Sequence, residues 1–330
     1  MSLLTYFEVT GPAVDVLRLR PSQLPDLKDD EVLLRMLAAP INPADPNFIA
    51  GTYGIKPHLP ATPGIEGVGE VAQVGKIAAQ VGRIQKGDWV RSLCGEGTWR
   101  QHLILKHTDC LVLPKGLCEN DAAMIFVNPV TAWRMMHDFI SLQPGEWIVQ
   151  NAGNSAVGRC VIQIAKALGF KTYSLVRRPE LIDELKAIGA DVVETEDQFD
   201  RKTASAHFAG KTPRLGLNAV GGASALHVAH LLHSGGSHIT YGAMSKMPLK
   251  VPNGMLIFNN LAFRGFWLTA WAKKASTEEQ TETLRHLGDL MKQNKLQIPV
   301  AKRYPLSHVH DAVAHAEKEQ RGGKIILDLK

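Results

Sequence analysis

The sequence predicts an α/β protein of two domains, a β-rich first third followed by a doubly wound parallel sheet. Three observations predict it. Short apolar runs punctuated by Gly and Pro fill the chain up to about residue 120. Strand and helix patterns then alternate in βαβαβ order. The 330 residues are too many for one ordinary core. With 45% apolar and 21% charged residues, the composition is that of a globular rather than a disordered chain. Residues 1–124 and 275–330 are expected to form the β-rich domain, and residues 125–274 the domain with the parallel sheet.

In the first third, "EVLLRMLAAPIN", "GIEGVGEVAQVG", "GDWVRSL", "QHLILK" and "DCLVLP" read as strands. At residue 121 the pattern turns helical: "DAAMIFVNPVTAWRMMHDF" predicts one helix with Asp121 as its N-cap. "EWIVQNA" reads as a buried strand. "AVGRCVIQIAKALG" is a helix with Val157, Val161, Ile164 and Leu168 on one face, stopped by Gly169. "KTYSLV" is the next strand, "PELIDELKAIG" a helix with Pro179 near its first turn, and "ADVVET" a third strand. "PRLGLNAV", a helix from Ala223 to His233, and "GSHITYGA" continue the series, and "NNLAFRGFWL" reads as its last strand. An amphipathic helix, "TEEQTETLRHLGDLMKQNKL", and a strand–helix–strand tail that returns to the first domain complete the chain.

Composition excludes several function classes. Net charge is +5, but the basic residues are scattered and no aromatic-basic motif accompanies them, which suits anionic small ligands and not nucleic acid. No apolar run approaches the roughly 20 residues of a membrane span. The N-terminus, "MSLLTYFEVTGPAV", shows no targeting signal, and a cytoplasmic setting is expected. Cys94, Cys110, Cys118 and Cys160 form no C-x-x-C pair, so neither a zinc ribbon nor a disulfide framework is drawn from them; Cys160 reads as a small buried residue. His227, His230 and His233 recur at i, i+3 and i+6 without an acidic or cysteine neighbour, and read as surface or helix-C-terminal histidines.

"WIVQNAGNSAVGRCVIQIA" places a strand, a small-residue turn and a helix start in succession. A helix N-terminus offers free N–H groups and partial positive charge to a pyrophosphate. Gly153 and Gly158 supply the close approach, and Ser155 stands where a G-x-G-x-x-G loop has its middle glycine. At the end of the following strand, "SLVRRPE" puts Arg177 and Arg178 where an NAD enzyme has an acid. Two guanidinium groups fit a 2′-phosphate, so NADPH is the expected cofactor.

The tracts "INPADPNFIAGTYG", "VNPVTAWRMM", "QNAGNSAVG", "YGAMS" and "FRGFWLTAW" resemble the zinc-free branch of the medium-chain dehydrogenase/reductase superfamily, most of all its mitochondrial-type trans-2-enoyl thioester reductases. The resemblance runs over nearly the whole chain. It implies a GroES-like catalytic domain, a Rossmann-type cofactor domain and a homodimer formed by edge-to-edge sheet extension. At the positions where zinc dehydrogenases carry metal ligands stand Asn42, Ile65 (before Glu66) and Asn128, so no catalytic metal is expected. The lobe for a structural zinc looks deleted around "CGEGTWRQH".

By position, the resemblance makes Tyr53 the proton-donating or substrate-orienting tyrosine. Tyr53 and Trp267 are the candidate catalytic residues, and Phe266 and Trp267 read either as walls of the nicotinamide or acyl pocket or as core-strand residues. Asn42, Asn128, Thr131, Gly153, Asn154, Ser155, Ala156, Val157, Gly158, Arg177, Arg178, Tyr241, Gly242, Ala243, Met244, Phe266, Trp267, Leu268 and Lys324 are the implied cofactor contacts. Which arginine meets the phosphate stays open, because the loop is one residue shorter than the family's usual form. With no transit segment read at the start of this sequence, the family's mitochondrial residence is not expected to carry over.

Reduction of an activated alkene places charge on a carbonyl oxygen, and without a metal a hydrogen-bond donor must stabilise it. Tyr53 fits, since a phenol is neutral at pH 7 and can donate; Gly51 and Gly54 are expected to let ligand and backbone approach. The expected substrate is therefore a small molecule, an enoyl thioester on CoA or acyl carrier protein. A quinone or small enone is the alternative substrate, and an NADPH-binding protein with little catalysis is a more distant alternative.

Overall fold

The computed structural model describes residues 2–93 and 97–330, so Cys94 lies outside the described residues. The chain divides into two compact units. The first comprises Met1–Val127, Thr269–Lys292 and Ile298–Lys330; the second comprises Asn128–Leu268 and Gln293–Gln297.

In the first unit, β1 (Ser2–Tyr6) and β2 (Arg18–Ser22) form an antiparallel pair that the sequence reading did not anticipate. Then come β3 (Glu31–Pro40), β4 (Val68–Val74), β5 (Trp89–Ser92), β6 (His102–Lys106) and β7 (Cys110–Val112). The β-branched and leucine-rich runs anticipated from sequence supply all five. They alternate inward and outward, so Val32, Leu34, Met36, Val71, Val90, Leu103 and Leu105 meet Phe7, Leu17 and Trp99 in one core.

The second unit contributes β8 (Trp147–Gln150), β9 (Lys171–Val176), β10 (Val192–Thr195), β11 (Leu215–Asn218), β12 (Ser237–Thr240) and β13 (Ala262–Gly265). All pair in parallel, in the order β10-β9-β8-β11-β12-β13. β8 is first in sequence and central in space, so the winding reverses between β8 and β11. That reversal is the switch point at which doubly wound sheets bind ligands. The helix Ala156–Leu168 covers the sheet, burying Cys160–Ala165, and ends at Gly169 with φ 78°. Cys160 is fully buried, as its neighbours predict.

The tail returns to the first unit. β14 (Val300–Pro305) and β15 (Lys324–Asp328) extend the sheet in the order β14-β15-β3-β4-β5-β7, with β6 on the other side of β3's early residues. Ile325, Ile326 and Leu327 are buried.

Four expectations need correction. The helical tract after residue 118 is two helices, Glu119–Met124 and Val127–His137. An uninterrupted helix would commit the Phe126 and Val127 N–H groups to carbonyls one turn back, but the Glu66 carboxylate accepts both. The N-cap is Cys118 rather than Asp121: the Cys118 Sγ accepts from the Asp121 N–H, and the acid lies in the first turn, where the helix dipole favours it. The helix expected over 223–233 is Gly222–His230, and the His233 N–H turns to the Pro213 carbonyl. The last strand is only Ala262–Gly265; Phe266 donates its N–H to Thr240, and a helix begins at Leu268.

Because β15 is hydrogen-bonded on both sides, Ile326→Ala is expected to destabilise the protein by about 2–5 kcal/mol in denaturant unfolding. A change under about 0.5 kcal/mol would mean the tail is not part of the first unit's core.

Candidate functional site

In the first unit the helix Ala44–Ile49 follows β3, and its start is held by a buried polar cluster. Asp45, fully buried, accepts from the Asn42 N–H at 2.7 Å and the Ile65 N–H at 3.0 Å. Glu66, 2% exposed, accepts the Phe126 N–H at 2.9 Å and the Val127 N–H at 2.6 Å on one oxygen, and Asn42 Nδ2 at 3.0 Å on the other. The Lys324 ammonium from β15 donates to Asn42 Oδ1 at 2.6 Å and to the Ile41 carbonyl at 3.1 Å. Thr98 Oγ1 donates to the Glu66 carbonyl at 2.7 Å.

These charges are out of water, and their protonation reflects it. Burial pushes Asp45 up to about 7, against the pull of the Asn42 and Ile65 N–H groups and of Lys324. Burial also raises Glu66, opposed chiefly by Lys324 and then by its N–H donors. Asn42 and Lys324, both expected as cofactor contacts, are in direct contact with each other. The roles of Asp45 and Thr98 were not read from sequence; an acid inside the apolar frame "INPADPNFIAG" was the available signal for Asp45.

Tyr53 follows this helix. Its N–H and that of Thr52 both donate to the Asn47 carbonyl, and its side chain is half-buried. Gly51 has φ 69°, and a Cβ there would lie 3.1 Å from Thr10 Cγ2. The turn itself therefore requires Gly51, a reason separate from the ligand approach expected of it.

In the second unit, the candidate cofactor residues gather at the carboxyl ends of the parallel strands. After β8, Ala152 takes φ 49° and the chain turns through Gly153 and Asn154 into the helix at Ala156. A Cβ on Gly153 would lie 2.8 Å from Ser174 Cβ, and one on Gly158 would lie 2.6 Å from the Ala152 carbonyl. Ser155, in place of the middle glycine, is the helix N-cap and accepts the Gly158 N–H at 3.0 Å. Gln150 donates to the Gly158 carbonyl and to Ser174, while Arg159 donates to the Asn154 carbonyl and pairs with Glu184 at 2.6 Å. Gln150 and Arg159 brace the loop and were not anticipated; both flank the motif directly.

After β9, Arg177 is exposed, while Arg178 is half-buried and 3.5 Å from Glu180. After β12, Tyr241–Met244 is tied to the end of β11. The Tyr241 N–H donates to Asn218 and the Met244 N–H to Ala219, and a Cβ on Gly242 would lie 2.7 Å from the Ala219 carbonyl. The Tyr241 hydroxyl is buried, and that burial raises its pKa, opposed by Ser155. Beneath the loops, Asn151 bonds to Asn218, Ser224 and the Ala219 N–H.

After β13, Phe266 packs edge-on to Phe139 with ring centroids 6.3 Å apart, Trp267 is 42% exposed and Leu268 is half-buried. Asn128 and Thr131, in the first turns of the helix Val127–His137, are buried. The second unit holds fifteen Lys and Arg against ten Asp and Glu, whereas the rest of the chain holds twenty-two of each. The whole positive excess thus lies on the unit with the anion-shaped loop.

Those residues fit a dinucleotide. A catalytic zinc does not fit: Asn42 is already committed to Glu66 and Lys324, and among the described residues no three His, Cys, Asp or Glu side chains converge. His227 stacks on Phe199, His230 is half-buried and His233 turns to the Ser234 carbonyl, so these three act separately.

Residues 28–115 match the alcohol dehydrogenase GroES-like domain model, and residues 156–286 the zinc-binding dehydrogenase model. The mouse mitochondrial enoyl-[acyl-carrier-protein] reductase is 41% identical over 325 residues, which is 97% of this chain and 86% of that protein. The Etr1p complex with NADP and crotonyl-CoA superposes with a TM-score of 0.89 at 32% identity, covering 99% of each chain. Etr1p is a Candida tropicalis mitochondrial 2-enoyl thioester reductase, and it also forms a heterodimer with Etr2p. A putative NADPH:quinone reductase from Bacillus thuringiensis gives a TM-score of 0.90 at 28% identity, covering 99% of this chain and 98% of that one.

The raised Asp45 pKa sets a stability signature. The native state keeps a proton that the unfolded chain releases from about pH 4 upward, so this contribution is full at low pH and lost as pH rises through about 7. Asp45→Asn cannot ionise and keeps one acceptor oxygen. Its melting temperature should fall below wild type most at about pH 4 and below, with the gap narrowing as pH rises toward about 7. A gap independent of pH would contradict the assignment.

Proposed function

The chain belongs to the enoyl thioester reductases of the medium-chain dehydrogenase/reductase superfamily, and we propose on that premise that it uses NADPH to reduce the C=C bond of trans-2-enoyl thioesters. The observation that carries this reading is the cradle at the switch point, where Gly153 and Gly158 leave room that a Cβ would fill and the next strand ends in Arg177 and Arg178.

The loop Gly153–Gly158 and the N–H groups that open the helix at Ala156 hold the pyrophosphate. Arg177 or Arg178 takes the 2′-phosphate. Asn128, Thr131, Tyr241–Met244 and Phe266–Leu268 are the further contacts proposed on the second unit, with Phe266 and Trp267 for the nicotinamide or acyl group, and Asn42 and Lys324 are those proposed on the first. When bound, NADPH supplies the hydride that reaches the β-carbon. Tyr53 then donates a hydrogen bond to the thioester oxygen as charge gathers there, or delivers the proton to the α-carbon. Loss of NADPH absorbance with crotonyl-CoA tests the reading, and rapid turnover of a small quinone with no turnover of any enoyl thioester would overturn it. Quinone reduction is the second reading, favoured by the likeness to the Bacillus thuringiensis protein.

A homodimer fits the free edge of the parallel sheet. β13 ends the strand order, and the segment before it exposes Leu256 by 47%, Ile257 by 69% and Phe258 by 82%. A second copy pairing along β13 covers this patch. Among the described residues no helix is long and apolar enough to cross a membrane. A cytoplasmic site of action is proposed for this chain, although the curated relatives carry mitochondrial names; imaging of the tagged protein tests it.

Tyr53→Phe should lower kcat with crotonyl-CoA by about 100-fold while leaving the KM for NADPH near wild type. Turnover within about threefold of wild type would remove Tyr53 from the chemistry. Phe258→Glu should shift the mass measured by light scattering from two chains to one, whereas an unchanged dimer would place the interface elsewhere.

A further inference from the structure

The polar cluster of the first unit runs as a single line of hydrogen bonds from an acid to a base. Glu66 offers only acceptors when ionised, and one of its oxygens is committed to the Phe126 and Val127 N–H groups. Its other oxygen, 3.0 Å from Asn42 Nδ2, must therefore face the amide's donor end. That orientation sends Asn42 Oδ1 the opposite way, where the Lys324 ammonium, which has only donors, meets it at 2.6 Å. Turning the Asn42 amide over would set an oxygen against a carboxylate and an NH2 against an ammonium. With Glu66 2%, Asn42 1% and Lys324 3% exposed, no solvent is at hand to compensate.

We propose that Glu66 is a positioning residue for NADPH binding: it fixes the polarity of the Asn42 amide, and through it the seat of the Lys324 ammonium. This rests on the reading that Asn42 and Lys324 contact the cofactor. The same carboxylate starts the helix Val127–His137, which carries Asn128 and Thr131. One buried acid thus sets four of the proposed cofactor contacts without touching the cofactor.

A donor–acceptor exchange tests it. In Glu66→Gln the introduced amide keeps its oxygen on the two backbone N–H groups and turns its NH2 toward that of Asn42. In Asn42→Asp the introduced carboxylate faces the Glu66 carboxylate. Each single variant should weaken NADPH binding, titrated by fluorescence, by about tenfold, the loss expected for one charged hydrogen bond. For Glu66→Gln the KM for NADPH should move more than kcat. The double variant Glu66→Gln/Asn42→Asp restores donor to acceptor along the line and returns the same total charge. Its Kd should be at least about threefold tighter than that of either single variant, a recovery that a merely structural loss would not give.

Asn42→Asp leaves the Glu66 bonds to Phe126 and Val127 in place, so the test stays open where Glu66→Gln folds poorly. Adding Glu66→Gln to Asn42→Asp must then improve binding. Singles that bind like wild type, or a double variant no better than the weaker single, overturn the proposal. A wild-type protein that does not bind NADPH overturns the enzyme reading as well, which separates the two failures.

Discussion

A single buried carboxylate organises the first unit. Glu66 accepts from the Asn42 side chain and from two successive backbone N–H groups, Phe126 and Val127. An unpaired acid at that depth would be strongly destabilising, so these donors must converge on it. Their convergence brings together the end of β3, the segment before β4 and the start of the helix Val127–His137, and Lys324 adds β15 from the far end of the chain. The break between the helices Glu119–Met124 and Val127–His137 is the local mark of that requirement, since Glu66 takes N–H groups that a continuous helix would use.

The second unit solves a different problem. Its sheet is parallel throughout, and every loop implicated in cofactor binding leaves a strand at its carboxyl end. Backbone geometry there is tight enough to dictate residue type: Gly153 faces Ser174, and Gly158 faces the Ala152 and Gly153 carbonyls. Ser155 shows why the glycine pattern is incomplete, because a helix cap is worth more at that position than a residue without a side chain. The excess of basic residues on this unit complements a polyanionic ligand from the whole domain as well as from the two arginines after β9.

Asn42 and Ile65, the positions at which the resemblance led to metal ligands being sought, have a structural role in this arrangement. Asn42 lies between an acid and a base, an arrangement a cysteine thiolate could not serve, and the Ile65 N–H goes to Asp45 while its side chain offers no ligand. An ammonium thus stands beside Asn42, where the family resemblance leads one to expect a metal ligand. In the proposed reaction, developing negative charge is left to hydrogen-bond donors such as Tyr53.

Much of this was legible in the residues. Alternating apolar patterns predicted the parallel sheet and the helix Ala156–Leu168 with its Gly169 stop, and "NAGNSAVG" marked the turn that leads into that helix. These features are local: periodicity, turn chemistry and helix ends are written within a few residues of one another. The strand end at Gly265, the split helix and the joining of Asn42 to Lys324 were not legible. They depend on hydrogen bonds between groups far apart in sequence, such as Glu66 to Phe126 and Lys324 to Asn42, 60 and 282 positions apart. The sequence by itself determined the succession of strands and helices in the second unit and the turn that opens the helix Ala156–Leu168. Only the tertiary structure decided which buried polar groups pair, because burial makes each depend on a partner that chain order does not reveal.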